Sequence, residues 1–155
     1  MENIRLGVIG YGNMGTTHCK NAANGLTPNM VLTAICDISE ARRNVAKENH
    51  GDVAIFDNYT DLLKSGLCDL VIVATPHYDH PKMVADAFAE GLHVICEKPM
   101  VVTIEQLDEL YKLADSKNLI LLEAMKSMHS DGLDVIKKSL PYFKKLIEEM
   151  ENKKV

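Results

Sequence analysis

Tryptophan is absent from the 155-residue chain, aromatic residues make up only 5%, and no apolar run approaches the ~20 residues that a bilayer-crossing helix requires. Positive charge is also scarce. Against 22 Asp and Glu stand 17 Lys and Arg, a formal net charge of -5, which excludes the basic face of a general nucleic-acid binder. Cysteine is sparse and scattered: Cys19, Cys36, Cys68 and Cys96 show no CxxC spacing. That pattern argues against a zinc knuckle or a disulfide framework and suits reduced thiols. The amino terminus lacks a signal-peptide layout, because Arg5 is followed by a short apolar run and then glycines. A cytoplasmic protein without membrane or nucleic-acid partners is expected.

What is present is an alternation. Short β-branched runs at Ile4–Ile9, Val31–Cys36, Val53–Phe56, Leu70–Ala74, His93–Cys96 and Leu119–Leu122 are separated by amphipathic stretches such as Asp79–Glu90 and Thr103–Lys117. In the last of these, Ile104, Leu107, Leu110, Tyr111 and Ala114 share one helical face. Near-continuous apolar strands between helices imply an α/β domain whose parallel sheet is covered on both faces. Right-handed crossovers then predict a Rossmann-type doubly wound sheet of order 3-2-1-4-5-6. Residues 1–126 read as this one domain, and residues 127–155 as two further helices. The first, Ser127–Leu140, has Met128, Leu133, Ile136 and Leu140 on its apolar face. The second begins at Pro141, runs to Asn152, and carries a stripe of Phe143, Leu146, Ile147 and Met150.

The first strand runs into Gly10-Tyr11-Gly12-Asn13-Met14-Gly15, a GxGxxG sequence. Its glycines suit a tight turn, an approach of backbone to pyrophosphate, and close helix–strand packing. The helix opening at Asn13 would aim its free N–H groups and positive dipole end at the phosphates. Alone the motif is weak, since glycines also serve loops for conformational reasons. Its position between strand and helix strengthens it, as does Asp37, 22 residues past Gly15 at the end of the second strand. A carboxylate there could accept from the adenosine ribose hydroxyls and would repel a 2′-phosphate, which favours NAD over NADP. Ile38 and Arg42 join the same adenosine-side set; Arg42 and Arg43, one turn on, keep NADP in play. The plainer reading is that Asp37 caps the helix starting near Ser39.

The fourth strand ends in Ala74-Thr75-Pro76-His77 and the fifth in Glu97-Lys98-Pro99, at the strand ends where ligands lie in such sheets. With the glycine fingerprint, these residues resemble the glucose-fructose oxidoreductase / inositol dehydrogenase (Gfo/Idh/MocA) family of sugar and polyol oxidoreductases. The resemblance runs from Ile4 to about Leu140, and Leu122-Glu123-Ala124-Met125-Lys126 is similar to the family's passage into its crossover helix. It implies that Lys98 sits beside nicotinamide and substrate and takes part in proton transfer. It also implies that Pro99 makes that turn rigid through a cis bond, and that Thr75, Pro76, His77, His80 and Glu97 line the nicotinamide half. Family members continue into a substrate domain that supplies an Asp and a His, and no histidine follows His129 in this chain.

Without the resemblance, Lys98 reads as a solvated surface charge. His77 and His80 form an HxxH pair, but no third ligand is evident, so no metal is expected. His18 on the first helix reads as a packing residue or a backbone hydrogen-bond partner, Cys96 as core, and the methionines as fillers of core gaps. The expected function is nucleotide binding by an oxidoreductase domain, natural or engineered, that lacks its substrate half. The alternatives are an enzyme completed by oligomerisation or by a partner chain, and a non-enzymatic NAD-responsive protein that docks through its last helix.

Overall fold

The computed structural model describes residues 3–125. The helices expected at Ser127–Leu140 and Pro141–Asn152 lie outside the described residues. Among the described residues six strands alternate with five helices: β1 (Ile4–Ile9), α1 (Asn13–Ala23), β2 (Met30–Cys36), α2 (Glu40–Asn49), β3 (Ala54–Phe56), α3 (Tyr59–Lys64), β4 (Leu70–Val73), α4 (His80–Ala89), β5 (His93–Cys96), α5 (Ile104–Ser116) and β6 (Leu121–Glu123). A 3-10 turn at His77–Asp79 leads into α4. All strands pair in parallel in the order β3-β2-β1-β4-β5-β6, the doubly wound arrangement anticipated from the alternation. No described helix is long and apolar enough to cross a membrane.

Side-chain alternation along each strand builds two cores. On one face Ile9, Ala34, Cys36, Val71, Val73, Val94, Cys96 and Leu121 pack with Leu62 of α3, Phe88 of α4, and Leu110 and Ala114 of α5. On the other, Leu6, Val8, Leu32, Ile35 and Ile72 pack with Cys19 and Ala22 of α1 and Ala46 of α2. The β1–β2 register shifts between Leu6 and Gly7, skipping Thr33, whose hydroxyl donates to Leu6 O (3.1 Å) and lies 2.9 Å from Leu67 O. The hydroxyl thus occupies backbone acceptors where the ladder is interrupted. Local chemistry starts the helices. Asn58 Oδ1 accepts from Thr60 N (3.0 Å) to cap α3, and Thr103 Oγ1 accepts from Gln106 N (3.3 Å) to cap α5.

Two expectations shift. The strand β6 begins at Leu121 rather than Leu119, after Asn118 turns the chain with a positive φ of 54°. On α5, Ile104 (73% exposed) and Tyr111 (42%) leave the apolar stripe, which centres instead on Leu110 and Ala114 with Leu107 and Leu113 beside them. Periodicity places the apolar positions on a common side but does not say how far the helix is rolled against its neighbour, here α4.

All four cysteines are free and buried, and burial pushes the Cys19, Cys36 and Cys96 thiols up to about 12. Phe88 is fully buried between α4 and the sheet. Phe88→Ala is expected to lower unfolding free energy by about 3–5 kcal/mol, read from urea denaturation. A loss well under ~1 kcal/mol would mean that the core is not built around α4.

Candidate functional site

In this strand order the winding reverses between β1 and β4, a switch point at which ligands lie beyond the carboxyl ends of the strands in sheets of this kind. Four loops meet there, following β2, β1, β4 and β5 across the sheet.

The loop after β1 carries the glycines. Gly10 has φ +96°, a left-handed conformation, and its N–H donates to Cys36 O (2.7 Å). A Cβ on Gly10 would lie 2.7 Å from Ala74 O, and one on Gly15 would lie 1.8 Å from Gly10 O. These two glycines are therefore demanded by the fold itself: they let α1 press its first turn against the end of β1. Gly12 differs. Its backbone is extended (φ -81°, ψ -162°), and an added Cβ would meet only Arg42 Nη1 at 3.7 Å. Gly12 is thus free of steric demand from the protein and leaves an open surface beside the amino end of α1. Among the described residues no side chain caps that helix, and its first turn holds no acidic residue, with Asn13 and Met14 exposed. An uncapped helix start with free N–H groups suits an anion.

Tyr11, between the glycines, is only 3% exposed and serves as an anchor that sequence reasoning did not identify. Its ring meets His50 edge-on at 5.9 Å, and its hydroxyl lies 3.1 Å from His50 Nε2 and accepts from Asn49 Nδ2 at 3.3 Å. Desolvation holds the His50 imidazole below its ordinary value. The Tyr11 N–H donates to Asp37 Oδ2 at 2.7 Å. Asp37 is itself 5% exposed, and its Oδ1 accepts from Ser39 N at 2.8 Å. Asp37 thus does not cap α2, whose N-cap is Ser39, but closes a turn onto the Ser39 N–H just ahead of it, and each oxygen retains a second lone pair for another donor. Arg42 Nη1 lies 3.6 Å from Asp37 Oδ2, with most of its side chain in solvent. Ile38 is 90% exposed next to it. Arg43 is committed elsewhere, donating to Asp37 O and Ile38 O, both at 2.9 Å.

On the other side, Thr75 leaves β4, with Pro76 and His77 exposed in the following turn. His80 is 1% exposed, so it shapes the wall from behind rather than presenting its ring. Its Nε2 lies 2.8 Å from Thr75 O and its Nδ1 3.0 Å from Pro99 O, which ties the two loops together. With both ring nitrogens facing carbonyls, His80 is not placed to share a metal with His77. The Lys98–Pro99 bond is cis and Lys98 is exposed. Glu97 is 6% exposed; its Oε2 accepts from Lys98 N at 3.3 Å and its Oε1 lies 2.8 Å from His18 Nε2. His18 therefore engages a side chain of a distant strand end, not the backbone partner anticipated for it. Glu123 Oε1 accepts from Met100 N at 2.8 Å and ties the same turn to β6. Neither contact is visible in sequence, because the partners are separated by 79 and 23 residues.

A strand–glycine turn–helix unit with an acid at the next strand end, at the switch point of a doubly wound parallel sheet, defines a Rossmann dinucleotide-binding domain. Residues 4–125 match the oxidoreductase family with an NAD-binding Rossmann fold, Gfo/Idh/MocA, and the chain belongs to that family. It is 34% identical over 116 residues to the rhizopine catabolism protein MocA of Rhizobium meliloti, covering 74% of this chain and 35% of MocA. Among solved structures it resembles the WlbA dehydrogenase of Bordetella pertussis in complex with NADH and UDP-GlcNAcA (26% identity, TM-score 0.82, 92% of this chain and 42% of that one). It also resembles the Y186F mutant of the 3-ketoreductase KijD10 of Actinomadura kijaniata with TDP-benzene and NADP (26% identity, TM-score 0.81, 91% and 43%). The chain thus spans less than half the length of these relatives.

The two kinds of glycine predict opposite phenotypes. Gly15→Ala is expected to destabilise the fold by about 3 kcal/mol, because Gly10 O must move. Gly12→Val should unfold like the parent yet lose dinucleotide binding in calorimetric titration. Retained affinity in Gly12→Val would remove the phosphate from this loop.

Proposed function

We propose that this chain is the NAD-preferring nucleotide-binding part of an oxidoreductase that acts on a CH–OH group of a sugar or polyol. The observation that carries the reading is the open Gly12 surface between the uncapped α1 terminus and Asp37. That cradle fits a dinucleotide: pyrophosphate along Gly12–Gly15, adenosine ribose toward Asp37 and Ile38, and nicotinamide toward Thr75–His77 and Glu97–Lys98. When bound, the nicotinamide supplies a hydride acceptor. Lys98, exposed where β5 ends, holds the hydroxyl proton of the reacting alcohol, and Pro99 and Glu97 fix the turn that carries it. The family's activity on CH–OH groups supports the substrate class, and NADH and NADP occur in the two solved relatives above.

The preference for NAD rests on charge. The Asp37 carboxylate faces the position of a 2′-phosphate, and Arg42, at 3.6 Å, offsets it only in part. Asp37→Ser should narrow the NAD-to-NADP affinity ratio by about tenfold, and Arg42→Ala should widen it. The ratio, not the absolute affinity, is the readout, because Asp37 also holds the Tyr11 N–H. Equal affinities of the parent protein for both nucleotides would overturn the charge argument.

Binding without turnover is expected of these 155 residues assayed alone. Hydride transfer needs the carbinol carbon held against the nicotinamide, an orientation worth ~7–11 kcal/mol of barrier. More than half of each relative lies outside the matched region, and the substrate-holding wall is assigned there. NADH formation with inositol, glucose and related polyols should stay at background. Turnover that disappears in Lys98→Ala would instead support a site completed between copies of the chain, by way of the 127–155 segment.

A further inference from the structure

We propose that His18 is a positioning residue that acts through Glu97 to hold the Lys98 turn in place for the nicotinamide half of the dinucleotide, an inference that rests on the dinucleotide reading above. Glu97 is a buried carboxylate, and a buried carboxylate must be matched with donors. Two are in place, His18 Nε2 at 2.8 Å from Oε1 and Lys98 N at 3.3 Å from Oε2. The second is long, so the aim of the carboxylate depends on the first. Glu97 in turn fixes the backbone of Lys98, whose side chain is exposed.

His18 follows Gly15 by one helical turn on α1, the helix whose opening N–H groups face the proposed phosphates. One rigid element therefore carries both the phosphate donors and the imidazole that aims Glu97. Seating the pyrophosphate against α1 sets the position of His18, and His18 sets the turn at Lys98. The adenosine half is held by other contacts among the described residues: the Tyr11 N–H donates to Asp37, and the Tyr11 hydroxyl meets Asn49 of α2 and His50 at its C-cap. Removing the His18 side chain should therefore affect one half of the ligand and spare the other.

Two probes separate the halves. ADP-ribose carries the adenosine and both phosphates, while NADH adds the dihydronicotinamide. In titrations of the parent, His18→Ala and His18→Gln proteins, His18→Ala should keep ADP-ribose affinity within about twofold and lose about tenfold for NADH, the scale of one hydrogen bond to a charged group. The blue shift and enhancement of bound dihydronicotinamide fluorescence should fall with it. His18→Gln, which places an N–H donor at the same ε position, should restore both. If His18→Ala does not fold, His18→Asn, whose amide is too short to reach Glu97, replaces it in the comparison. Parallel loss of both ligands, no loss of either, or no rescue by Gln would overturn the assignment. Failure of the parent protein to bind ADP-ribose would instead remove the dinucleotide reading itself, and this inference with it.

Discussion

Helix α1 can aim its amino end across the sheet edge only because its third residue has no side chain. A Cβ at Gly15 would fall 1.8 Å from Gly10 O, a distance no rotamer change can relieve, since the obstacle is backbone. The rest of the site is hung on this approach. With α1 pressed against the turn, Cys19 and Ala22 reach the second core and the helix lies flat over β1 and β2. The same placement brings His18 within 2.8 Å of Glu97, at the far side of the switch point. Moving α1 outward by one methyl group would separate these contacts together, so packing and binding geometry are set by the same missing atoms.

Tyr11 shows how the fold supports that turn from below. A residue between two glycines would ordinarily be a mobile loop position, yet here it is buried against His50, with its N–H held by Asp37. Asp37 consequently has two tasks. It fixes the glycine turn, and under the proposed function it also presents the carboxylate whose charge would discriminate between ribose and ribose phosphate. The tasks are compatible because N–H donors occupy one lone pair on each oxygen and leave the other. They also explain why an acid is needed here: an amide could satisfy only one of the two N–H groups with oxygen.

The β1–α1–β2 side of the candidate site was legible in the chain and the side where β4 and β5 end much less so, for a physical reason. Gly10, Gly12, Gly15, Asp37 and Arg42 fall within a single βαβ unit, where spacing along the chain maps directly onto spacing in the fold. The strand order followed from the same logic, since alternating apolar strands and helices leave few topologies. The other side is assembled from partners far apart in sequence: His18 with Glu97, Met100 with Glu123, His80 with Pro99. No periodicity or motif marks such pairs. The HxxH spacing of His77 and His80 says nothing of their different settings: the 3-10 turn that places His77 in solvent sends His80 into the protein. The roll of α5 was hidden likewise, because Ile104 and Tyr111 are as apolar as Leu110 and only the neighbour α4 decides which are covered.

One device recurs along the sheet edge. Asp37 follows β2, Glu97 follows β5 and Glu123 ends β6, and each accepts a hydrogen bond from the backbone N–H of a loop residue: Tyr11, Lys98 and Met100. Two of the three acids are less than a tenth exposed. Burying a carboxylate costs desolvation free energy that an apolar residue would avoid, so the arrangement is poorly explained by stability alone. It is well explained by loop geometry. Residues that touch a ligand must lie at the surface, where few apolar contacts can hold them, and a charge-assisted bond to the main chain fixes a loop without covering it. The buried acids thus let the glycine turn and the Lys98 turn stay open above and rigid below, which is the condition for a ligand to bind without first ordering its own site.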